Sequence, residues 1–101
     1  MEVKDLQKQV NEFVDVLDEK FKCKHNTNNT FIHLIEEIGE LAKQVNSPNI
    51  RNEEIDKNNL AEELGDILIL TIRLASENNI DVEQAIKDKI EMLKKRHNLS
   101  R

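Results

Sequence analysis

The segment Leu60-Ala61-Glu62-Glu63-Leu64-Gly65-Asp66-Ile67-Leu68-Ile69-Leu70-Thr71-Ile72 decides the fold. Its apolar residues recur three and four apart, the period of an α-helix. On a helical wheel with Glu63 at the origin, Leu60, Leu64, Ile67, Leu68, Ile72 and Leu74 cover one broad side, from about 20° to 180°. Ile69 and Leu70 carry the apolar surface round the other side and flank Asp66. A helix apolar on nearly all sides must be covered on more than one side, which predicts a homodimer or larger assembly around the central helices. Asp66 is embedded in this belt. An unpaired buried carboxylate is costly, so it calls for a proton, a partner or a cation.

The same period extends outward in both directions. Val3, Leu6, Val10, Phe13, Val14, Leu17 and Phe21 predict a first helix over about residues 3–21. The Asn/Thr-rich run 26–30 reads as a loop and N-cap. Phe31, Leu34, Ile35, Ile38, Leu41, Ala42 and Val45 predict a second helix over about 30–46, stopped at Asn46-Ser47-Pro48. Residues 47–57 read as an irregular connection, longer than the roughly 2–8 residues that bundles need and so placed to cover a site. A third helix is expected over about 58–78. Asp81 and Gln84 form a capping box that opens a fourth, over about 81–97. The expectation is all-α: one four-helix bundle-like domain spanning residues 1–101.

Composition agrees and excludes rivals. The 101 residues are 38% hydrophobic and 35% charged, with net charge −5, three Phe, and no Tyr or Trp. Neither a basic surface nor a stacking platform for bases is present, so no nucleic-acid partner is expected. Two glycines and one proline are too little punctuation for a sandwich or barrel. One cysteine, Cys23, suits a reducing compartment. No basic-then-apolar leader opens the sequence, and the run Ile67–Ile72 is too short to span a bilayer. These features predict a cytoplasmic protein with no membrane partner.

The two central helices echo each other. Glu36-Glu37-Ile38-Gly39-Glu40-Leu41 matches Glu62-Glu63-Leu64-Gly65-Asp66-Ile67, and both glycines of the chain sit inside the repeat. Glycine within a helix costs roughly 1 kcal/mol relative to alanine, so two backbones approaching each other beside a site are expected there. Residues three apart share a helix face, which pairs Glu37 with Glu40 and Glu63 with Asp66. If the two helices pack antiparallel, the four carboxylates converge, and such a cluster needs cations. An all-oxygen donor set favours a hard ion, Mg²⁺ or Mn²⁺. A di-iron bundle would need Glu-x-x-His pairs, and a P-loop enzyme a Gly-rich loop; the central helices carry neither.

His33–Ala42 and Leu60–Leu68 resemble the MazG-like nucleoside triphosphate pyrophosphohydrolases, which carry Glu-Glu-x-x-Glu on one helix and Glu-x-x-Asp on the next. The resemblance extends over about residues 25–97. It implies an all-α, Mg²⁺-dependent enzyme, with Mn²⁺ a possible substitute, that hydrolyses a (deoxy)nucleoside triphosphate to the monophosphate and pyrophosphate as a homodimer or homotetramer. It implies Glu37, Glu40, Glu63 and Asp66 as metal ligands. Glu36 would be catalytic, holding a second metal or orienting the attacking water. Lys89 and Arg96, seven apart in a segment (87–101) with six basic and two acidic residues, would take the substrate phosphates. His33, one turn before Glu37, would line the site. Leu93 and His97 depart from the family pattern, which often has Asn or Asp and then an aromatic residue there. Base selectivity would come from the bundle lining, including the N-terminal helix and residues 26–33. The alternatives are a phosphoribosyl-ATP pyrophosphohydrolase of the same superfamily, or a non-enzymatic helical interaction module.

Overall fold

The computed structural model of the chain describes residues 2–23 and 26–100. These form four α-helices, α1 (Val3–Phe21), α2 (Thr27–Arg51), α3 (Lys57–Glu77) and α4 (Val82–Arg96), with no strand among the described residues. The all-α expectation holds, and α1, α3 and α4 lie within one residue of their expected bounds.

The departures are at the two ends of α2: it begins at Thr27, so most of the run read as loop is already helical, and it runs past its expected stop at 46. Pro48 lies inside the helix, which continues to Arg51, so the expected 47–57 loop is reduced to residues 52–56. Proline removes one backbone donor, but here it does not end the helix. The turn is made by Asn52, at φ 58°, and Glu53 N donates to the Pro48 carbonyl at 2.7 Å. Left-handed residues follow every helix: Lys22, Asn52, Asn79 and Asn98 all have positive φ, and neither glycine does. Asparagine tolerates this conformation best among non-glycine residues. It makes three of the four stops and leaves the glycines for helix interiors.

The helix starts follow side-chain chemistry. Asn26 Oδ1 accepts from Asn29 N at 2.9 Å, and Asp56 Oδ1 accepts from Asn58 N and Asn59 N at 3.0 and 3.2 Å. Asp81 Oδ1 accepts from Gln84 N at 3.1 Å, but the Gln84 amide turns to Asp88 at 2.8 Å, so only half the expected capping box forms.

α2 and α3 make the most extensive packing, α1 lies on α3, and α4 packs on α1. Paired residues run in opposite senses along α2 and α3: Thr30 with Glu77, and Gln44 with Glu63. The two helices are therefore antiparallel. Val10 and Val14 of α1, Leu34 of α2, and Leu70 and Ile72 of α3 are buried. Many apolar residues stay exposed, among them Phe31, Ile35, Ile38 and Val45 on α2 and Leu64 and Leu68 on α3.

A Cβ added at Gly39 or Gly65 would meet nothing within 4 Å, so the close backbone approach expected at the repeat does not occur within one protomer. An open helical glycine costs roughly 0.5–1 kcal/mol relative to alanine. Gly39→Ala and Gly65→Ala are each expected to raise the free energy of unfolding in urea by that order; a loss instead would place that glycine against a second chain.

Candidate metal centre

Glu37 on α2 faces Glu63 and Asp66 on α3. One oxygen from each lies within 4.8 Å of the others, near enough for a single ion. Antiparallel packing explains the meeting: the i, i+3 spacing puts Glu63 and Asp66 on one face of α3, and the α2 register brings Glu37 opposite them.

The cluster is electrostatically unsatisfied. Glu63 is pushed up to about 7, first by sharing a hydrogen bond with the Glu37 carboxyl, then by burial and by the charges of Glu37, Asp66 and Glu40. Its Oε2 accepts from Gln44 Nε2 at 3.4 Å. Its Oε1 is shut off from solvent without a hydrogen-bond partner. Crowded carboxylate oxygens, one of them orphaned, suit a hard divalent cation, so the donor set fits such an ion.

Two expectations are corrected in part. Asp66 is exposed rather than embedded: it lines an open cavity alongside Ile69 and Leu70. Glu40 lies outside the three-residue group: it is 58% exposed and pairs with Lys43 at 3.6 Å, though its charge still bears on Glu63. Glu36 is exposed. His33 Nε2 lies 3.7 Å from Glu37 Oε1.

A cavity of about 280 Å³ opens beside the cluster. Glu37, Asp66 and His33 form one part of its wall; Phe13, Val14 and Leu17 of α1 form an apolar part. Arg73 also lines it, and this is a residue the sequence reading did not single out. Its Nη2 lies 2.9 Å from Asp15 and 4.0 Å from Asp18, and its Nε lies 3.7 Å from Glu77. The available signal was its spacing, two turns beyond Asp66 on the same face and one turn before Glu77. Lys89 and Arg96 stand elsewhere, on exposed α4, where both approach Met92 Sδ, at 3.7 and 3.9 Å.

The raised Glu63 acidity fixes a pH dependence. Below about 4.5 Glu63 is protonated in the folded and unfolded chains alike; between there and about 7 only the folded chain keeps the proton. Stability falls with pH wherever the native state binds more protons. In chelator, wild type is therefore expected to lose stability relative to Glu63→Gln as pH rises through this window, with a constant difference above it. Urea titrations at several pH values check this, and parallel curves would refute it. Because a cation held there would displace the proton, divalent-cation affinity is expected to rise with pH up to about 7 and then level off.

Among the described residues no helix is long and apolar enough to cross a membrane. Residues 25–99 match the family model described as MazG nucleotide pyrophosphohydrolase domain. Comparison with curated proteins and with solved structures gave no match.

Proposed function

The chain belongs to the MazG nucleotide pyrophosphohydrolase family, its match covering residues 25–99, and we propose that it hydrolyses a (deoxy)nucleoside triphosphate to the monophosphate and pyrophosphate with Mg²⁺. The observation that carries the reading is the meeting of Glu37, Glu63 and Asp66 around an orphaned carboxylate oxygen. These three would hold the ion. Glu40, one turn along α2 from Glu37, would join them on leaving Lys43. When bound, a divalent cation supplies neutralisation of phosphate charge and activation of water at neutral pH.

The side chains divide the remaining work. The Gln44 amide fixes Glu63 Oε2, leaving Oε1 for the ion. Glu36, next to Glu37 in the chain, is the proposed group that orients the attacking water. Water adds across the phosphoanhydride between the α and β phosphorus atoms, and the leaving oxygen departs with pyrophosphate. The apolar cavity wall beside the carboxylates is of a size and character to seat the nucleoside. We place this work in the cytoplasm, where the exposed Cys23 thiol stays reduced.

Assembly belongs to the same reading. Exposed apolar residues on α2 and α3 lack cover within the chain, which supports a homodimer or homotetramer.

The test is pyrophosphate release from the standard NTPs and dNTPs and dUTP, with Mg²⁺ or with chelator. Metal-dependent release from a subset is expected. Silence across the panel, together with no Mg²⁺-dependent rise in melting temperature, would refute the reading. Silence with a clear metal effect would point to an unusual nucleotide such as phosphoribosyl-ATP.

A further inference from the structure

The cavity beside the carboxylates is mostly apolar, and its polar side chains are Glu37 and Asp66 at the cluster, His33, and Arg73. His33 leans on Glu37, at 3.7 Å. Arg73 follows Asp66 by seven residues, two turns along one face of α3. At 1.5 Å per residue that is about 10.5 Å along the helix. Reacting phosphates are drawn to the carboxylate end of the cavity when an ion is held there. Arg73 is then about a nucleoside's length away, at the end where the base must lie. The apolar wall of Phe13, Val14 and Leu17 stands at that end too, because Asp15, between Val14 and Leu17, lies 2.9 Å from Arg73 Nη2.

The guanidinium is held but not saturated. Asp15, Asp18 and Glu77 surround it, and none of the three belongs to the cavity wall. Only the Asp15 contact is short. Nη1 reaches the carbonyl and the side-chain oxygen of Asn11 at 3.4 and 3.5 Å, and Asp18 is 4.0 Å from Nη2. Nε, 3.7 Å from Glu77, has no hydrogen-bond partner. A guanidinium carries five N–H donors in a rigid fork. Donors therefore remain for a ligand, in a fork that its carboxylates have already oriented.

Such a fork can only donate, so it matches a base edge with two adjacent acceptors. Guanine has one in O6 and N7, and cytosine in O2 and N3. Adenine sets its amino donor beside the ring acceptor, and in uracil and thymine an N3–H donor separates the two carbonyls. Resting on the pyrophosphohydrolase reading above, we propose that Arg73 reads the base, and that the substrate is a nucleoside triphosphate whose base presents two adjacent acceptors, cytosine or guanine. The carboxylates that tie α1 to α3 through Arg73 also aim its fork, so one arrangement serves stability and selectivity.

Relative turnover tests this, because a ratio of kcat/KM values from one preparation does not depend on how much of it is folded. Wild type with Mg²⁺ is expected to favour dCTP or dGTP over dATP, dTTP and dUTP by roughly 5–150-fold, the discrimination of one bidentate pair. Which of the two leads identifies the base. The deaza analogue of the leading substrate, with C–H in place of the acceptor nitrogen, should lose most of the advantage; this comparison needs no variant. Arg73→Gln offers one donor and one acceptor, the complement of adenine, so its ratio should turn toward dATP. Arg73→Lys, a point charge without the fork, should flatten the ratio. Equal turnover of all five by wild type, a preference for dATP, dTTP or dUTP, a deaza analogue as good as its parent, or the wild-type ratio kept in Arg73→Gln would each overturn the assignment. Wild type inactive on all five would instead overturn the pyrophosphohydrolase reading, and this inference with it.

Discussion

Glu63→Gln and Asp66→Asn are each expected to bring Mg²⁺-dependent pyrophosphate release down to the level of chelated wild type, while the metal-free protein stays folded. The amides keep the shape of the carboxylates and remove the charge that an ion needs. Losing a group that merely supports a metal ligand already costs about 10–100-fold in affinity or activity, and removing a ligand should exceed that. Stability should move the other way. In the metal-free protein Glu63 is crowded by Glu37, Asp66 and Glu40, so neutralising it relieves repulsion, and Glu63→Gln should melt higher than wild type at pH 8 in chelator. Mg²⁺ should raise the melting temperature of wild type and leave the variant nearly unmoved. Glu62→Gln is the contrast: Glu62 is exposed and outside the cluster, so turnover should be unchanged. Full turnover in Glu63→Gln would remove the cluster from the chemistry.

How far the sequence led can be judged residue by residue. Helical period alone placed α1 at its observed bounds, because Val10 and Val14 repeat on the face that packs on α3. It failed at Pro48, where the expected break does not occur and α2 runs on to Arg51; the actual stop is the left-handed Asn52. Glu37, Glu63 and Asp66 were legible because spacing along a helix dictates a shared face, and antiparallel packing needs little more to join two faces. Glu40 obeys the same spacing, yet it stays 58% exposed, 3.6 Å from Lys43. Whether a carboxylate turns in or out by one turn depends on partners that a wheel does not contain.

Arg73 was legible only in part, for a different reason. Its spacing to Asp66 and Glu77 is in the sequence, but its partners Asp15 and Asp18 lie on α1, and their meeting depends on how α1 crosses α3. Charges that pair across tertiary contacts leave no period in the sequence. The segregation of Lys89 from the cluster is of the same kind: both lay on plausible faces, and only the packing shows that those faces point apart.

Arg73→Ala is expected to be the most destabilising single substitution outside the apolar core. The guanidinium side chain is only 14% exposed, and it joins Asp15, the buried Asp18 and the 11%-exposed Glu77. Glu77 in turn accepts from the hydroxyl of the fully buried Thr30 at 2.9 Å, so the network ties α1, α3 and α2 together. Breaking a buried ion pair from one side costs about 3–5 kcal/mol, because the charges left behind remain desolvated. For a domain of this size each kcal/mol shifts the melting temperature by about 4–8 °C, so a fall of more than about 12 °C is expected. Arg73→Lys keeps the charge but loses the planar fork that reaches several acceptors at once, and should recover only part of the loss. The decisive comparison is Arg73→Ala/Glu77→Gln. If stranded carboxylates cause the loss, neutralising one should make the double variant more stable than Arg73→Ala alone. If Arg73→Ala costs under about 1 kcal/mol in urea unfolding, as exposed ion pairs do, the network is screened by solvent and does not hold α1 in place.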